Sequence, residues 1–241
     1  MGGSELRAFA EGVLQAGPER ASDLGMLLVA RSTRWVVGRP ELQVVAKVYL
    51  AEPRWGWLIA LVLGTRADRA ARKLSRARAL GVSVPGVRYV HESRVGSVVV
   101  MDFIDGRPLR EMYFALIGRD RRSLVSAVAR FLGRIHDAGV YPSDFNDTNV
   151  LVTDFGEPVL IDPEGLRFVG WVSSRRRVRN LERLLRAFLG QNGVPLSTRF
   201  RFLVEYAGGN SGLARRRARE LFEAIGIRFR RKQRQYDLGS P

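Results

Sequence analysis

The sequence predicts an α+β protein in two parts, a small antiparallel sheet followed by a mostly helical half. Three observations carry that prediction. Up to Met101 the apolar residues fall in short strand-like runs, and beyond it they recur at helical spacing. Between the halves, DFIDGRP (102–108) has the composition of a linker. The helical half contains a single strand pair, in GVYPSDFNDTNVLVTDFGEPVLID (139–162), whose turn is signalled by Asp154, Gly156 and Pro158. The expected parts are residues 1–101, a hinge at 102–107, and 108–241.

Taken in order, residues 4–16 read as an amphipathic helix opened by Ser4, with Glu5 in its first turn. Strands are expected at 26–30, 34–37 and 44–50, the last being VVAKVYL. A helix over 65–80 closes on Gly81, with Pro85 beyond it. Strands at 87–90 and 95–101 complete the sheet. In the second half, helices are expected at 109–117 and 122–138, where Leu124, Val128, Phe131, Leu132 and Ile135 form the buried stripe. Strands at 149–153 and 158–161 make the hairpin, and Arg-rich amphipathic helices follow at 178–189, 198–206 and 213–225. There is no internal repeat.

The charge narrows the range of partners. Across 241 residues, 40 basic side chains stand against 24 acidic ones, for a net charge of +16. Such an excess implies an anionic partner: nucleic acid, phospholipid or a phosphorylated substrate. Nearly all of it is arginine, since the only lysines are Lys47, Lys73 and Lys232. The absence of cysteine excludes disulfides, thiolate zinc sites and a cysteine nucleophile. The amino terminus does not read as a signal peptide, and the longest apolar run, 55–63, is far short of the roughly 20 residues of a spanning helix. A cytoplasmic protein is expected, resting on a membrane if that apolar run acts as an interfacial wedge rather than a core element.

The chemistry gathers in the hairpin. Asp144, Asn149 and Asp162 stand at offsets of 0, 5 and 18, with the two strands between them. Strands that fold back on each other bring Asn149, at the start of one, and Asp162, at the end of the other, to one rim of the sheet. Asp144, in the loop leading in, faces the same space. Three oxygen-bearing side chains so placed can meet at one metal–phosphate centre. Lys47, in the middle of a strand in a chain that otherwise uses arginine, suggests a compact ammonium for phosphate oxygens. The alternative is a strand residue reaching solvent.

The order VAK, then HDAG followed by SDFNDTNVLV, then LIDPEG resembles the protein-kinase-like fold. Within that fold the chain is most similar to the lipopolysaccharide kinases, the bacterial Kdo and heptose kinases. That closer likeness is carried by GTRADRAARKLSRARALGVSVP, FVGWVSSRRRVRNLERLLRAF, and TRFRFLVEYAGG followed by RARELFEAIGIRFRRK. The resemblance implies ATP and Mg²⁺ as cofactors. Lys47 would hold the α- and β-phosphates, Asp144 would accept the proton of the acceptor hydroxyl, and Asn149 and Asp162 would bind magnesium. Asn146 would touch the transferred phosphate, and Asp68, Asp102 and Ile104 join Lys47 as nucleotide-binding residues.

The pattern also departs from that of protein kinases. Pro142 stands two residues before Asp144, where those enzymes usually have histidine. A glycine-rich loop is missing, and Arg31, Ser32, Thr33 and Arg34 offer themselves to phosphate instead. Asp68 replaces the helix glutamate that pairs with the lysine. Glu164 stands where a glycine is usual, either as a further metal ligand or as a turn residue. His136 reads as a hydrogen-bonded core residue and His91 as a surface one.

The resemblance implies an ATP-dependent kinase phosphorylating a sugar hydroxyl of a lipopolysaccharide-core-like glycolipid at the inner membrane surface, with an anionic glycolipid or phosphorylated sugar acceptor and an anionic membrane surface as partners. The alternatives are an atypical RIO-like protein kinase and a catalytically dead scaffold or nucleic-acid-binding pseudokinase. Against nucleic acid, the aromatic residues do not interleave with the arginines as a base-stacking platform would.

Overall fold

The structure, a computed structural model, describes residues 2–51, 62–187 and 194–238. The chain divides into two compact units, Met1–Asp105 and Gly106–Pro241.

The first unit is built on an antiparallel sheet of β1 (Met26–Arg31), β2 (Arg34–Arg39), β3 (Val44–Leu50), β4 (Val87–Glu92) and β5 (Gly96–Asp102). Their order is β1-β2-β3-β5-β4. The inner strands β3 and β5 are buried nearly end to end, as runs of β-branched residues between neighbours should be. One face of the sheet packs α1 (Gly3–Arg20), where Leu6, Phe9, Ala10, Val13 and Leu14 meet Trp35, Val37, Val44, Ala46, Val48, Val98 and Val100. The Trp35 indole N–H donates to the Val13 carbonyl at 3.1 Å, so its one polar atom is satisfied inside the core. α1 starts earlier than expected and is not capped by Ser4. Glu5 reaches back to accept from the Gly2 amide at 2.7 Å, as an acidic residue three positions past the cap can do.

Alternation along β3 puts Val45, Lys47 and Tyr49 on the other face of the sheet. α2 (Arg66–Ala79) packs against β3, β4 and β5, burying Ala67, Ala70, Ala71, Leu74 and Ala77. Thr65 caps it by accepting from the Asp68 amide at 3.2 Å. It closes on Gly81 (φ +75°), where the Val82 amide reaches the Ala77 carbonyl at 3.0 Å in a Schellman closure. Of the apolar run 55–63, residues 55–61 lie outside the described residues, and Val62 and Leu63 are exposed. His91 is half-buried rather than on the surface, its ring 3.9 Å from Glu11 of α1, because α1 covers that end of β4.

The second unit opens with β6 (Arg107–Pro108), so the expected linker gives up its last two residues to a sheet. β6 pairs with β8 (Val150–Val152), and β8 pairs with β9 (Pro158–Leu160). A separate ladder joins β7 (Val140–Pro142) to β10 (Leu166–Phe168). Strands of three residues or fewer leave no periodicity to read. The helices are α3 (Leu109–Ala115), α4 (Gly118–Asp137), α5 (Ser174–Ala187), α6 (Leu196–Tyr206) and α7 (Gly212–Leu238). α4 and α5 both begin about a turn before their apolar period, in polar turns rich in arginine (GRDRR and SRRR) that carry no stripe. Among the described residues no helix is long and apolar enough to cross a membrane.

Candidate active site

In the second unit the segment carrying Asp144 is fastened to the segment that follows Asp162. β7 and β10 pair with Tyr141 opposite Arg167 and Pro142 opposite Leu166. Just beyond, Ser143 donates twice to the Gly165 carbonyl, from its amide at 2.7 Å and its hydroxyl at 2.9 Å. A Cβ at Gly165 would sit 3.2 Å from the Asp144 amide nitrogen, so the two segments touch there. Asp144 itself is exposed, and its carboxylate forms no hydrogen bond or ion pair with any described residue. No described residue occupies the oxygen that a base would need to present.

Asn146 uses one end of its amide. Its Oδ1 accepts from the Thr148 amide at 3.1 Å, the Thr148 hydroxyl at 2.8 Å and the Asn149 amide at 3.0 Å, capping the short turn Asp147–Asn149. Asn149 turns its Nδ2 to the Asp144 carbonyl at 2.9 Å, which orients its Oδ1 away as an acceptor. The Ile161 amide donates to the Asn149 carbonyl at 3.0 Å, carrying the β8–β9 pairing one residue beyond Val150–Leu160. Asp162 therefore follows at the rim where Asn149 stands. It is half-buried, and its carboxylate accepts from the Glu164 amide at 3.3 Å.

This donor set fits magnesium. An amide oxygen and a carboxylate are hard oxygen ligands, and Mg²⁺ takes one or two such groups while keeping waters and phosphate oxygens. Among the described residues no cluster of three or more His, Cys, Asp or Glu forms a closed metal cage. Asn149 and Asp162 are the residues that would hold the ion.

Beneath the Asp144 segment lies a chain of hydrogen bonds whose direction is set throughout. The Pro142 carbonyl can only accept, so Asn180 of α5 donates to it from Nδ2, at 2.7 Å. Asn180 Oδ1 then accepts from His136 Nε2 at 2.9 Å, which places the imidazole proton on Nε2. His136 Nδ1 accepts from the Tyr206 hydroxyl at 2.7 Å, and that oxygen accepts from Arg177 at 3.3 Å. Arg183 donates to the Ser143 carbonyl. Pro142, in the place of an orienting histidine, is thus held through its backbone. His136 is the buried, hydrogen-bonded core residue that the sequence suggests.

Burial disfavours the imidazolium and pushes the His136 pKa down to about 4. Burial likewise raises the Tyr206 phenol to about 12, so both links stay neutral. The unfolded chain, with an ordinary histidine near 6.5, takes up a proton that the native state refuses. The stability that neutral His136 contributes is full above about pH 6.5 and is lost as the pH falls toward 4. Chemical denaturation at pH 7 and pH 4.5 should differ by about 2 kcal/mol from this residue alone, and His136→Gln should remove that share of the difference.

In the first unit, Lys47 is 6% exposed, and its Nζ lies 5.7 Å from the centroid of the Tyr49 ring. The Arg66 guanidinium sits 5.0 Å from the same ring, bringing the first turn of α2 to this face of the sheet. Asp68 stands in that turn and pairs with Arg72 at 2.7 Å. The Asp102 carboxylate accepts from the Gly86 amide at 2.8 Å and pairs with Arg88 and Arg78, tying the end of β5 to β4 and α2. Ile104 is half-buried just beyond β5. Ser32 and Thr33 form the β1–β2 turn, and the Thr33 carbonyl accepts from the Leu50 amide at 3.1 Å.

Sequence reasoning did not single out Ser143, Gly165, Asn180, Arg183 or Tyr206. Only Asn180 carried a readable signal. It falls on the buried side of an Arg-rich helix beside Leu181 and Leu184, where an amide needs a buried partner.

Comparison with known proteins gives consistent results. The family model for the lipopolysaccharide kinase (Kdo/WaaP) family matches residues 57–224. The chain is 33% identical over 97 residues to the KEOPS complex subunit Bud32 of Pyrococcus abyssi, covering 40% of this chain and 43% of that protein. It is 30% identical over 98 residues to a probable bifunctional tRNA threonylcarbamoyladenosine biosynthesis protein of Methanothermobacter thermautotrophicus, covering 41% of this chain and 17% of that one. These matches span less than half the length of either relative. Among solved structures, an aminoglycoside-3'-phosphotransferase of type VIII superposes with a TM-score of 0.53 at 16% identity, over 90% of this chain and 99% of that one. The bifunctional kinase-methyltransferase WbdD superposes with a TM-score of 0.52 at 17% identity, over 80% and 43%. The fold is protein-kinase-like.

Proposed function

The chain belongs to the lipopolysaccharide kinase (Kdo/WaaP) family, and on that premise we propose that it is an ATP-dependent phosphotransferase. Its acceptor in this reading is a sugar hydroxyl of a lipopolysaccharide-core-like glycolipid, met at an anionic membrane surface. The observation that carries the reading is the rim of the second unit. There Asp144, with an unengaged carboxylate, is joined to Asn149 by a direct hydrogen bond and to the Asp162 segment through Ser143 and Gly165. The net charge of +16 supports an anionic acceptor.

The acceptor oxygen forms a bond to the γ-phosphorus as the bond to the β,γ-bridging oxygen breaks, and ADP departs with that electron pair. The proton of the acceptor hydroxyl passes to the Asp144 carboxylate. Asn146, whose Oδ1 is committed to its turn, offers Nδ2 to the transferred phosphate. Asn149 and Asp162 would hold magnesium, which when bound would neutralise charge on the phosphates. Lys47 binds the α- and β-phosphates as a compact ammonium, and Asp68, Asp102 and Ile104 belong to the nucleotide-binding side.

ATP should raise the thermal unfolding temperature only when Mg²⁺ is present, and Asp162→Asn should abolish that shift. If no nucleotide stabilises the protein, the reading is overturned. The likeness to Bud32 favours a second reading, a RIO-like serine/threonine protein kinase. ATP consumption stimulated by purified lipopolysaccharide core and not by protein selects the first, and the reverse selects the second.

A further inference from the structure

Beside the Asp144 segment stands a group of side chains that none of the roles above uses. Arg167 is exposed on β10, opposite Tyr141 of β7, and residues paired across a ladder project from the same face. Arg176, exposed on the first turn of α5, lies over that same Tyr141 ring at 5.5 Å from its centroid. Arg176 thus lies over the tyrosine ring, and Arg167 leaves the ladder on the face of that same residue. Arg175 is exposed next to Arg176, and Trp171 is 68% exposed in the loop that joins β10 to α5.

That loop is held firmly. The Val169 amide donates to the Gly139 carbonyl at 2.9 Å, and Arg177 Nε donates to the Val172 carbonyl at 3.0 Å. Gly139 has φ +71°, and a Cβ there would lie 2.5 Å from the Gly170 carbonyl, so only glycine permits the approach. Trp171 thus presents most of its indole to solvent from a pinned loop.

The arginines divide by partner. Arg177 pairs with Asp137, and Arg228 with Glu182. Arg167, Arg175 and Arg176 form no ion pair with any described carboxylate. Their charges are therefore available to a ligand. Tyr141 precedes Asp144 by three residues, so the residue that Arg176 covers lies within about 11 Å of Asp144, Cα to Cα. That is the scale of one sugar residue and its substituent. Guanidinium forks match phosphate and carboxylate in a bidentate manner, and the indole face supplies a broad apolar surface for a sugar ring.

We propose that Arg167, Arg175, Arg176 and Trp171 form the acceptor subsite, taking a phosphate borne on the sugar that presents its hydroxyl to Asp144. The link to Asp144 rests on the phosphotransferase reading; the binding of an anionic sugar does not. The subsite accounts for arginines that have no carboxylate partner among the described residues, and it makes a phosphate on the acceptor a condition of tight binding.

The test is direct binding by calorimetry at fixed ionic strength, on the full chain, with purified lipopolysaccharide core oligosaccharide before and after chemical dephosphorylation. Wild type is expected to bind the phosphorylated core at least tenfold more tightly. Arg175→Ala/Arg176→Ala is expected to lose that tenfold while binding the dephosphorylated core as wild type does. Trp171→Ala should weaken both. Unfolding temperatures without ligand check that each variant folds. Equal binding of the two cores by wild type, or unchanged affinity in the double variant, overturns the subsite. So does an equal loss of binding to glycan-free phosphatidylglycerol vesicles, which would assign the arginines to a lipid surface. Core binding that follows this pattern without any phosphoryl transfer sinks the phosphotransferase reading and leaves the subsite standing. Transfer at wild-type KM in the double variant does the opposite.

Discussion

Asp144→Asn is expected to lower the rate of phosphoryl transfer by about 10²–10⁴, the usual contribution of a general base, while leaving Mg²⁺-dependent stabilisation by ATP intact. The separation follows from how the residue is held. Its carboxylate is exposed and has no partner among the described residues, so the isosteric change removes no native contact. The stability cost should stay within about 0.5 kcal/mol, as for an ordinary surface substitution. Asn149 binds the backbone carbonyl of Asp144 and not its side chain, so the ligand atom of Asn149 keeps its orientation in the variant. Single-turnover transfer from labelled ATP to the acceptor, beside thermal unfolding with and without Mg²⁺-ATP, measures both quantities. A rate within tenfold of wild type would show that Asp144 is not the base. Loss of nucleotide stabilisation would show that the carboxylate serves the metal instead.

Asn180→Leu is expected to have the largest effect on stability. The change nearly conserves volume, so no large cavity confuses the result, but it removes both a donor and an acceptor. The Pro142 carbonyl and the His136 Nε2–H would each lose a partner in a fully buried place. Each orphaned group costs about 1–3 kcal/mol, so the sum is about 2–6 kcal/mol. Urea denaturation should show a lower midpoint at unchanged slope. Because Pro142 is two residues from Asp144, kcat should fall at temperatures where the variant is folded, with little change in the KM for ATP. A variant as stable as wild type would mean that the chain from Tyr206 to Pro142 does not carry load.

Much of the candidate site is legible in the sequence because it is built from local spacing. A turn between two short strands is enough to bring Asn149 and Asp162 to one rim, and the Ile161–Asn149 hydrogen bond lies where that folding back requires it. Lys47 in VVAKVYL is readable for the same reason, since the period of two assigns it a face of β3. The cap of α1 differs from the expectation at Ser4 because Ser4 and Glu5 are both good first-turn residues, and only the backbone path decides which one reaches an amide. The β7–β10 ladder was invisible because it joins two three-residue strands 24 positions apart, with no pattern in either.

By itself the sequence determined the two-part α+β plan, the strand lysine, the spacing of Asp144, Asn149 and Asp162, and the sign of the charge. These are set by periodicity, turn chemistry and composition, which act over a few residues or over the whole chain. The tertiary structure alone decided what holds the Asp144 segment and which arginines have no carboxylate partner among the described residues. Ser143 on Gly165 and Asn180 on Pro142 are bonds to backbone carbonyls, and every residue has one, so no side-chain pattern marks them. Forty basic residues look alike until packing gives some of them carboxylates and leaves Arg167, Arg175 and Arg176 without any described partner of opposite charge.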